Sequence, residues 1–309
     1  MAALRGRDLT EIRDLDPGEL IALLQFAAEL KMRSQSGDRP ALLAGKVLAL
    51  VFEKPSLRTR VTFESAMLHL GGHAIYLGAA DIGMGVRESV PDIARNLERW
   101  VDGIAARTFA HATVKTLAEH ARIPVINALS DREHPCQALA TLLTIQERFG
   151  RVAGLRVAWV GDGNNTLRSF LYGAVRLGIS VAIATPRGYG LDAETLRQAA
   201  EAAAATQARV EVTEDPAEAV AGADLIYTDV WASMGQEAEA ADRRRVFAPY
   251  QVNAPLLARA PRHALVSHCL PAHRGEEISD EVLDGPRSVA FDEAENRLHA
   301  QKAILAQTL

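Results

Sequence analysis

Short, evenly apolar runs alternate with amphipathic stretches along almost the whole chain, and few folds accommodate that rhythm. Residues 46–52 (KVLALVF) are too short for a surface helix and read as a buried strand, whereas residues 58–70 carry helical spacing. The series continues with a strand at 73–77, a helix near 91–101, a strand at 103–106, a helix near 112–121 and a strand at 124–129. Residues 134–149 read as one long helix stopped by Gly150, and the rhythm then restarts. Strands are expected at 155–160, 181–185, 210–213, 225–228, 264–268 and 288–291, with helices at 166–177, 192–205 and 293–308. An opening helix at 17–33 has Asp16 as N-cap, Pro17 at its first position and Glu19 completing a capping box. Strand–helix alternation implies parallel strands joined by crossover helices, so the fold class is α/β. At 309 residues the chain exceeds what one core usually supports. The expectation is two domains, 1–140 and 141–292, each with a central, mainly parallel sheet flanked by helices.

Composition narrows the function classes. A net charge of −5 argues against a surface built on nucleic-acid phosphates, yet leaves room for a local basic pocket. Two cysteines, Cys136 and Cys269, cannot build a disulfide framework. The first residues, MAALRGRD, lack the apolar stretch of a secretory leader, and no run of about 18 uncharged apolar residues occurs. A cytoplasmic protein with no membrane partner is expected.

In open parallel sheets, ligands bind outside the carboxyl ends of the strands. After the strand ending at Phe52 comes EKPSLRTR, leading into a helix. A helix start presents unpaired N–H groups and a positive dipole end, so it attracts anions. Ser56 and Thr59 add hydroxyls, Arg58 adds a planar fork, and Arg60 or Lys54 could raise the potential. The alternative is a charged helix start in solvent, although the dipole disfavours basic residues there. After the strand ending at Leu129, His134-Pro-Cys-Gln137 opens the long helix, placing His134 and Gln137 on one face at its start. A carbonyl gaining negative charge needs such preorganised donors. Cys136 lies off that face and reads as core.

In the second half, GDGNNT (161–166) follows a strand but has Thr166 where a dinucleotide loop needs its third glycine, and no acidic residue ends the next strand. His268, Cys269 and His273 could suggest zinc, but near-consecutive residues rarely converge on one tetrahedral ion. No cofactor and no metal are expected.

The loop Ser56-Leu-Arg-Thr-Arg60 resembles the Ser-Thr-Arg-Thr-Arg loop of aspartate and ornithine carbamoyltransferases, with Leu57 departing from the usual threonine. His134-Pro-Cys-Gln137 resembles the family's His-Pro-x-Gln. The resemblance implies that Ser56, Leu57 (through its N–H), Arg58 and Thr59 hold the phosphate of carbamoyl phosphate. It further implies that Arg107, His134 and Gln137 polarise the carbamoyl oxygen. Asp229-Val-Trp-Ala-Ser-Met-Gly235 resembles the loop that marks ornithine enzymes, as His268-Cys-Leu-Pro271 does. By that likeness Asn165, Asp229, Ser233 and Met234 bind L-ornithine, Cys269 lies by the attacked carbon, and Leu270 meets the carbamoyl group through its backbone. Phe291–Arg297 (FDEAENR) resembles the family's closing helix, in which Arg297 returns to the carbamoyl phosphate site. Residues 293–309 should therefore pack on the first, carbamoyl phosphate-binding domain, leaving 141–292 for ornithine.

The implied activity is carbamoyl transfer to the δ-amine of L-ornithine, giving citrulline and phosphate within arginine biosynthesis. Putrescine or an N-acylornithine stands as the alternative acceptor, and a non-catalytic phosphometabolite-binding protein as the alternative of another class. The motifs are neutral between synthesis and citrulline breakdown. The resemblance also implies a homotrimer whose neighbour lends the loop 81–89, with Gly83 where a glutamine is common.

Overall fold

Asp16 starts the first long helix as the spacing predicts, its carboxylate accepting from the Glu19 N–H at 2.8 Å while Glu19 Oε2 accepts from the Asp16 N–H at 3.0 Å. The computed structural model describes residues 4–233 and 235–309. The elements run α1 (Pro17–Gln35), β1 (Val47–Phe52), α2 (Leu57–His69), β2 (His73–Gly78), α3 (Ala79–Ile82), α4 (Val90–Leu97), β3 (Gly103–Arg107), α5 (His111–His120), β4 (Val125–Leu129) and α6 (Pro135–Phe149). There follow β5 (Arg156–Val160), α7 (Asn165–Arg176), β6 (Ser180–Ala184), α8 (Ala193–Ala204), β7 (Val210–Thr213) and α9 (Pro216–Val220). The chain closes with β8 (Leu225–Thr228), α10 (Ala240–Phe247), α11 (Ala254–Leu257), β9 (Leu265–His268), α12 (Asp280–Leu283) and α13 (Ala290–Thr308).

The structure divides into two compact units, Met1–Leu143 with Glu295–Leu309, and Thr144–Ala294. In the first, four parallel strands lie in the order β2-β1-β3-β4. Alternate residues Ala49, Val51, Ile104 and Ala106 pack under Ile93, Leu97, Val114 and Leu117 of α4 and α5. Leu48 and Leu50, on the opposite face, are equally buried, which is why the strand is apolar throughout instead of alternating. The second unit holds five parallel strands in the order β7-β6-β5-β8-β9. Ala158, Val160, Ile226 and Val266 fill one side with Phe247 and Val252, and Trp159, Tyr227 and Phe170 meet edge to face on the other.

The later part of α13 belongs to the first unit. Lys31 Nζ donates to Asn296 Oδ1 at 2.8 Å, and Lys302 Nζ to the Leu30 carbonyl at 3.2 Å. Its start belongs to the second unit, where Glu293 accepts from Tyr227 Oη (2.9 Å) and Ser267 Oγ (2.5 Å). The strand expected at 288–291 is corrected: Ser288 makes one isolated bridge to Val266, and helix begins at Ala290. A four-residue apolar run has too little length to separate a strand from a buried helix start. The short helices α3 and α9 to α12 were not anticipated, because none is long enough to show a helical apolar period, although Asp215 ahead of Pro216 is a readable start signal.

Candidate active site

The carboxyl ends of β1, β3 and β4 meet in the first unit because Phe52 pairs with Arg107, and Arg107 with Leu129. Glu53 fastens the first two loops, its N–H donating to the Arg107 carbonyl (2.8 Å) and its Oε2 accepting from the Phe109 N–H (2.7 Å). Ser56 caps α2, its hydroxyl accepting from the Thr59 N–H at 3.2 Å. Leu57 is the first helical residue and its side chain faces solvent, so only its backbone is available to an anion at the helix start. Arg58 is half-buried and Thr59 buried. His134, also buried, precedes α6, and its carbonyl accepts from the N–H groups of Gln137 (3.0 Å) and Ala138 (3.2 Å). From α13, Arg297 Nη1 donates to Gln137 Oε1 (2.6 Å) and Nη2 to Thr59 Oγ1 (3.1 Å). The loops after β1 and β4 are thereby tied to the closing helix.

The electrostatics of this cluster are unusual for a folded core. Arg107 is only 6% exposed, and its Nε finds no hydrogen-bond partner among the described residues. Burial, then the charges of Arg297 and Arg58, lower its guanidinium to about 10. Burial holds His134 well below its usual range, with Arg297, Arg107 and Arg58 adding to the effect, so the imidazole is neutral at working pH. Several cations sharing one buried field are costly until an anion completes the set. The two other basic residues do less. Lys54 Nζ sits 4.5 Å over the Phe109 ring, and Arg60 pairs with Glu64 (2.9 Å) on a half-exposed surface. The Cys136 thiol is fully buried, donates to the Asn127 carbonyl at 3.6 Å and is pushed up to about 12 by burial, which suits core packing and not nucleophilic attack.

The second unit holds a second cluster. Asp229 follows β8, Cys269 follows β9, and those strands pair through Thr228 and His268. Cys269 Sγ donates to Asp229 Oδ1 at 2.8 Å, and Asp229 Oδ1 also accepts from the Val230 N–H at 2.8 Å. The Asp229 Oδ2 partner is Asn164 Nδ2, at 2.7 Å. Asn164 also caps α7, its Oδ1 accepting from the Thr166 and Leu167 N–H groups at 3.0 and 3.1 Å. Asn165 is the first residue of the helix and is half-buried. Sequence reasoning passed over Asn164, whose signal was its place at a helix start. Ser233 is half-buried, its N–H donating to Gln236 Oε1 at 2.9 Å, and Met234 lies outside the described residues. Trp231 is buried on Phe247 with centroids 5.9 Å apart, and its carbonyl accepts from Arg243 Nη1 at 2.8 Å.

Two features bear on cofactors. A Cβ on Gly163 would meet Gly190 C at 2.5 Å and Tyr189 O at 2.6 Å, so this glycine serves close packing against the next loop. Asp229, His268 and Cys269 each bring a donor atom within 4.8 Å of the others, a spacing a metal could use. That donor set is already committed, since His268 Nδ1 accepts from the Leu270 N–H (2.8 Å) and Nε2 faces Glu277 Oε1 (3.0 Å).

Residues 7–147 match the family model described as "Aspartate/ornithine carbamoyltransferase, carbamoyl-P binding domain", and residues 153–308 match "Aspartate/ornithine carbamoyltransferase, Asp/Orn binding domain". The chain is 51% identical over 309 residues to an ornithine carbamoyltransferase of Pyrococcus horikoshii, covering 100% of this chain and 98% of the relative. It is 55% identical over 307 residues to one of Gloeobacter violaceus, covering 99% and 97%. Among solved structures, ornithine carbamoyltransferase from Pyrococcus furiosus superposes with a TM-score of 0.97 at 50% identity, covering 100% of this chain and 98% of that one. The Thermus thermophilus enzyme follows with a TM-score of 0.88 at 52% identity and 97% of each chain covered.

Proposed function

The chain belongs to the aspartate/ornithine carbamoyltransferase family, and on that premise we propose that it transfers the carbamoyl group of carbamoyl phosphate to the δ-amine of L-ornithine, giving L-citrulline and phosphate. The observation that carries the donor half is Arg107, a buried guanidinium with an unmatched N–H in the field of Arg58 and Arg297. A phosphate dianion supplies what that field lacks. Ser56, Arg58, Thr59 and the Leu57 N–H hold the phosphate, with Arg297 bracing Thr59 and Gln137. Arg107, neutral His134 and Gln137 polarise the carbonyl.

The acceptor half rests on Asp229, whose carboxylate is fixed by Asn164 and Cys269. An amine is mostly protonated in water near neutral pH, and only its neutral form attacks. Asp229 and Cys269 orient the neutral amine, while Asn165, Ser233 and Met234 hold the amino-acid end of ornithine. The nitrogen lone pair forms a bond to the carbamoyl carbon, the carbon–oxygen bond to phosphate breaks, and the departing phosphate takes the proton from nitrogen. No covalent enzyme intermediate, metal or cofactor enters the scheme. The first unit is the carbamoyl phosphate domain and the second the ornithine domain.

We assign the enzyme to the cytoplasm and to a homotrimer. Among the described residues no helix is long and apolar enough to cross a membrane. The trimer is supported by Leu57, Val61 and Leu68, exposed along one face of α2, and by Ile75 on the neighbouring strand β2. Purified protein should form citrulline from carbamoyl phosphate and ornithine, and Arg58→Ala should cost at least about tenfold in kcat/KM. A smaller loss would remove Arg58 from the phosphate site, and sedimentation velocity giving a monomer would remove the trimer.

A further inference from the structure

His268, at the end of β9, is fully buried, as is Glu277, nine residues on. The His268 Nδ1 accepts from the Leu270 N–H at 2.8 Å, and only a ring nitrogen without hydrogen can accept. Its proton therefore sits on Nε2, which donates to Glu277 Oε1 at 3.0 Å. The same oxygen accepts from the His273 N–H at 2.5 Å. Glu277 is itself anchored, since its carbonyl accepts from the Val252 N–H at 2.8 Å. One carboxylate thus ties the end of the strand to the loop that follows it. Between these fixed points Leu270 adopts φ +55°, a conformation that persists in a side-chain-bearing residue only when its surroundings impose it. Burying a carboxylate is itself unfavourable, and the Glu277 Oε2 has no partner among the described residues, so fold stability gives this residue a weak rationale.

We propose that Glu277 and His268 are a positioning pair for carbamoyl transfer: Glu277 fixes the His268 tautomer, and His268 holds the Leu270 backbone in the conformation that meets the carbamoyl group. The inference rests on the proposed activity for the role of Leu270, and neither residue touches substrate in it. Without the Glu277 oxygen, the Nε2–H loses its acceptor, the ring is free to exchange tautomer, and the Nδ1–H form can no longer accept from Leu270.

The test compares Glu277→Gln with Glu277→Ala in steady-state kinetics, melting temperature and imidazole nitrogen–proton correlation spectra of His268. Glutamine keeps an acceptor for Nε2–H, so kcat should stay within about threefold of wild type. Alanine should lower kcat by about thirtyfold, a typical result of small misplacement at a reacting centre, while KM for carbamoyl phosphate moves less than about threefold because the phosphate is held elsewhere. The wild-type spectrum should show the Nε2–H tautomer, and the alanine variant should lose it. Should the alanine variant fail to fold, Glu277→Asp, one methylene short of Nε2, is expected to show the same fall in kcat. Equal kcat in the glutamine and alanine (or aspartate) variants, or an Nδ1–H tautomer in wild type, overturns the pair. A wild-type chain that makes no citrulline sinks the activity reading instead, and the spectra then decide the pairing alone.

Discussion

At the scale of single residues, the arginines and the neutral imidazole of the first unit set a conflict between function and stability. Burial, with the charges of Arg297 and Arg58 adding, lowers the Arg107 guanidinium to about 10. Arg107→Met, of similar length and no charge, should therefore raise the melting temperature of the ligand-free protein while lowering kcat by about 10²–10³-fold. A variant that is both inactive and less stable would mean that Arg107 supports the core. Acid sensitivity follows from two histidines. Burial holds His134 well below the usual histidine range and, with Lys302, Lys31 and His69 adding, holds His299 at about 3. Below about pH 6.5 the unfolded chain then binds more protons at these sites than the folded one, so stability complete above that pH falls as pH drops. At pH 5, His299 alone should remove about 2 kcal/mol relative to pH 7. His299→Asn should flatten the decline of melting temperature between those pH values, and an unchanged slope would contradict the assignment.

At the scale of elements, the strands and long helices were legible because each spans at least one full period of its pattern. The loops after β1 and β4 were legible as leading into helices, and the sheet register then brings Arg107 to both helix starts; that Ser56 caps the first of them is a finding of the structure. What the pattern could not give was partner choice. Arg60 and Lys54 look alike beside Arg58 in sequence, yet one turns to Glu64 and the other to Phe109. Asn164 and Asn165 are adjacent, and only the cap geometry shows that Asn164 holds Asp229. Asn164→Ala should cost about 1 kcal/mol as a lost cap and, beyond that, raise KM for ornithine with little change in KM for carbamoyl phosphate. Equal effects on both constants would reduce Asn164 to a cap. The run at 288–291 misled because four residues are too few to tell a strand from the lead-in to a helix, which here begins at Ala290.

At the scale of the molecule, the closing helix α13 carries Arg297 to Thr59 and Gln137, a contact between residues about 160 and 240 positions apart in sequence. No local pattern predicts such a return, and it was readable only through the family's closing motif. An anion that completes the cationic cluster binds the folded chain alone, so inorganic phosphate at a hundred times its Kd should add about 2.7 kcal/mol, seen as a rise of several degrees in melting temperature. Arg58→Ala should lose most of that rise, and an equal rise in the variant would place the anion elsewhere.

The central claim is that one cluster activates carbamoyl phosphate and the other selects ornithine. The direct test offers purified enzyme carbamoyl phosphate with an equimolar mixture of ornithine, putrescine, N-acetylornithine and aspartate, and identifies the products by mass spectrometry. Citrulline should exceed every other carbamoylated product by more than about a hundredfold, as expected where buried polar groups read the acceptor. Predominance of carbamoylputrescine, carbamoylaspartate or an N-acetylcitrulline would contradict the claim.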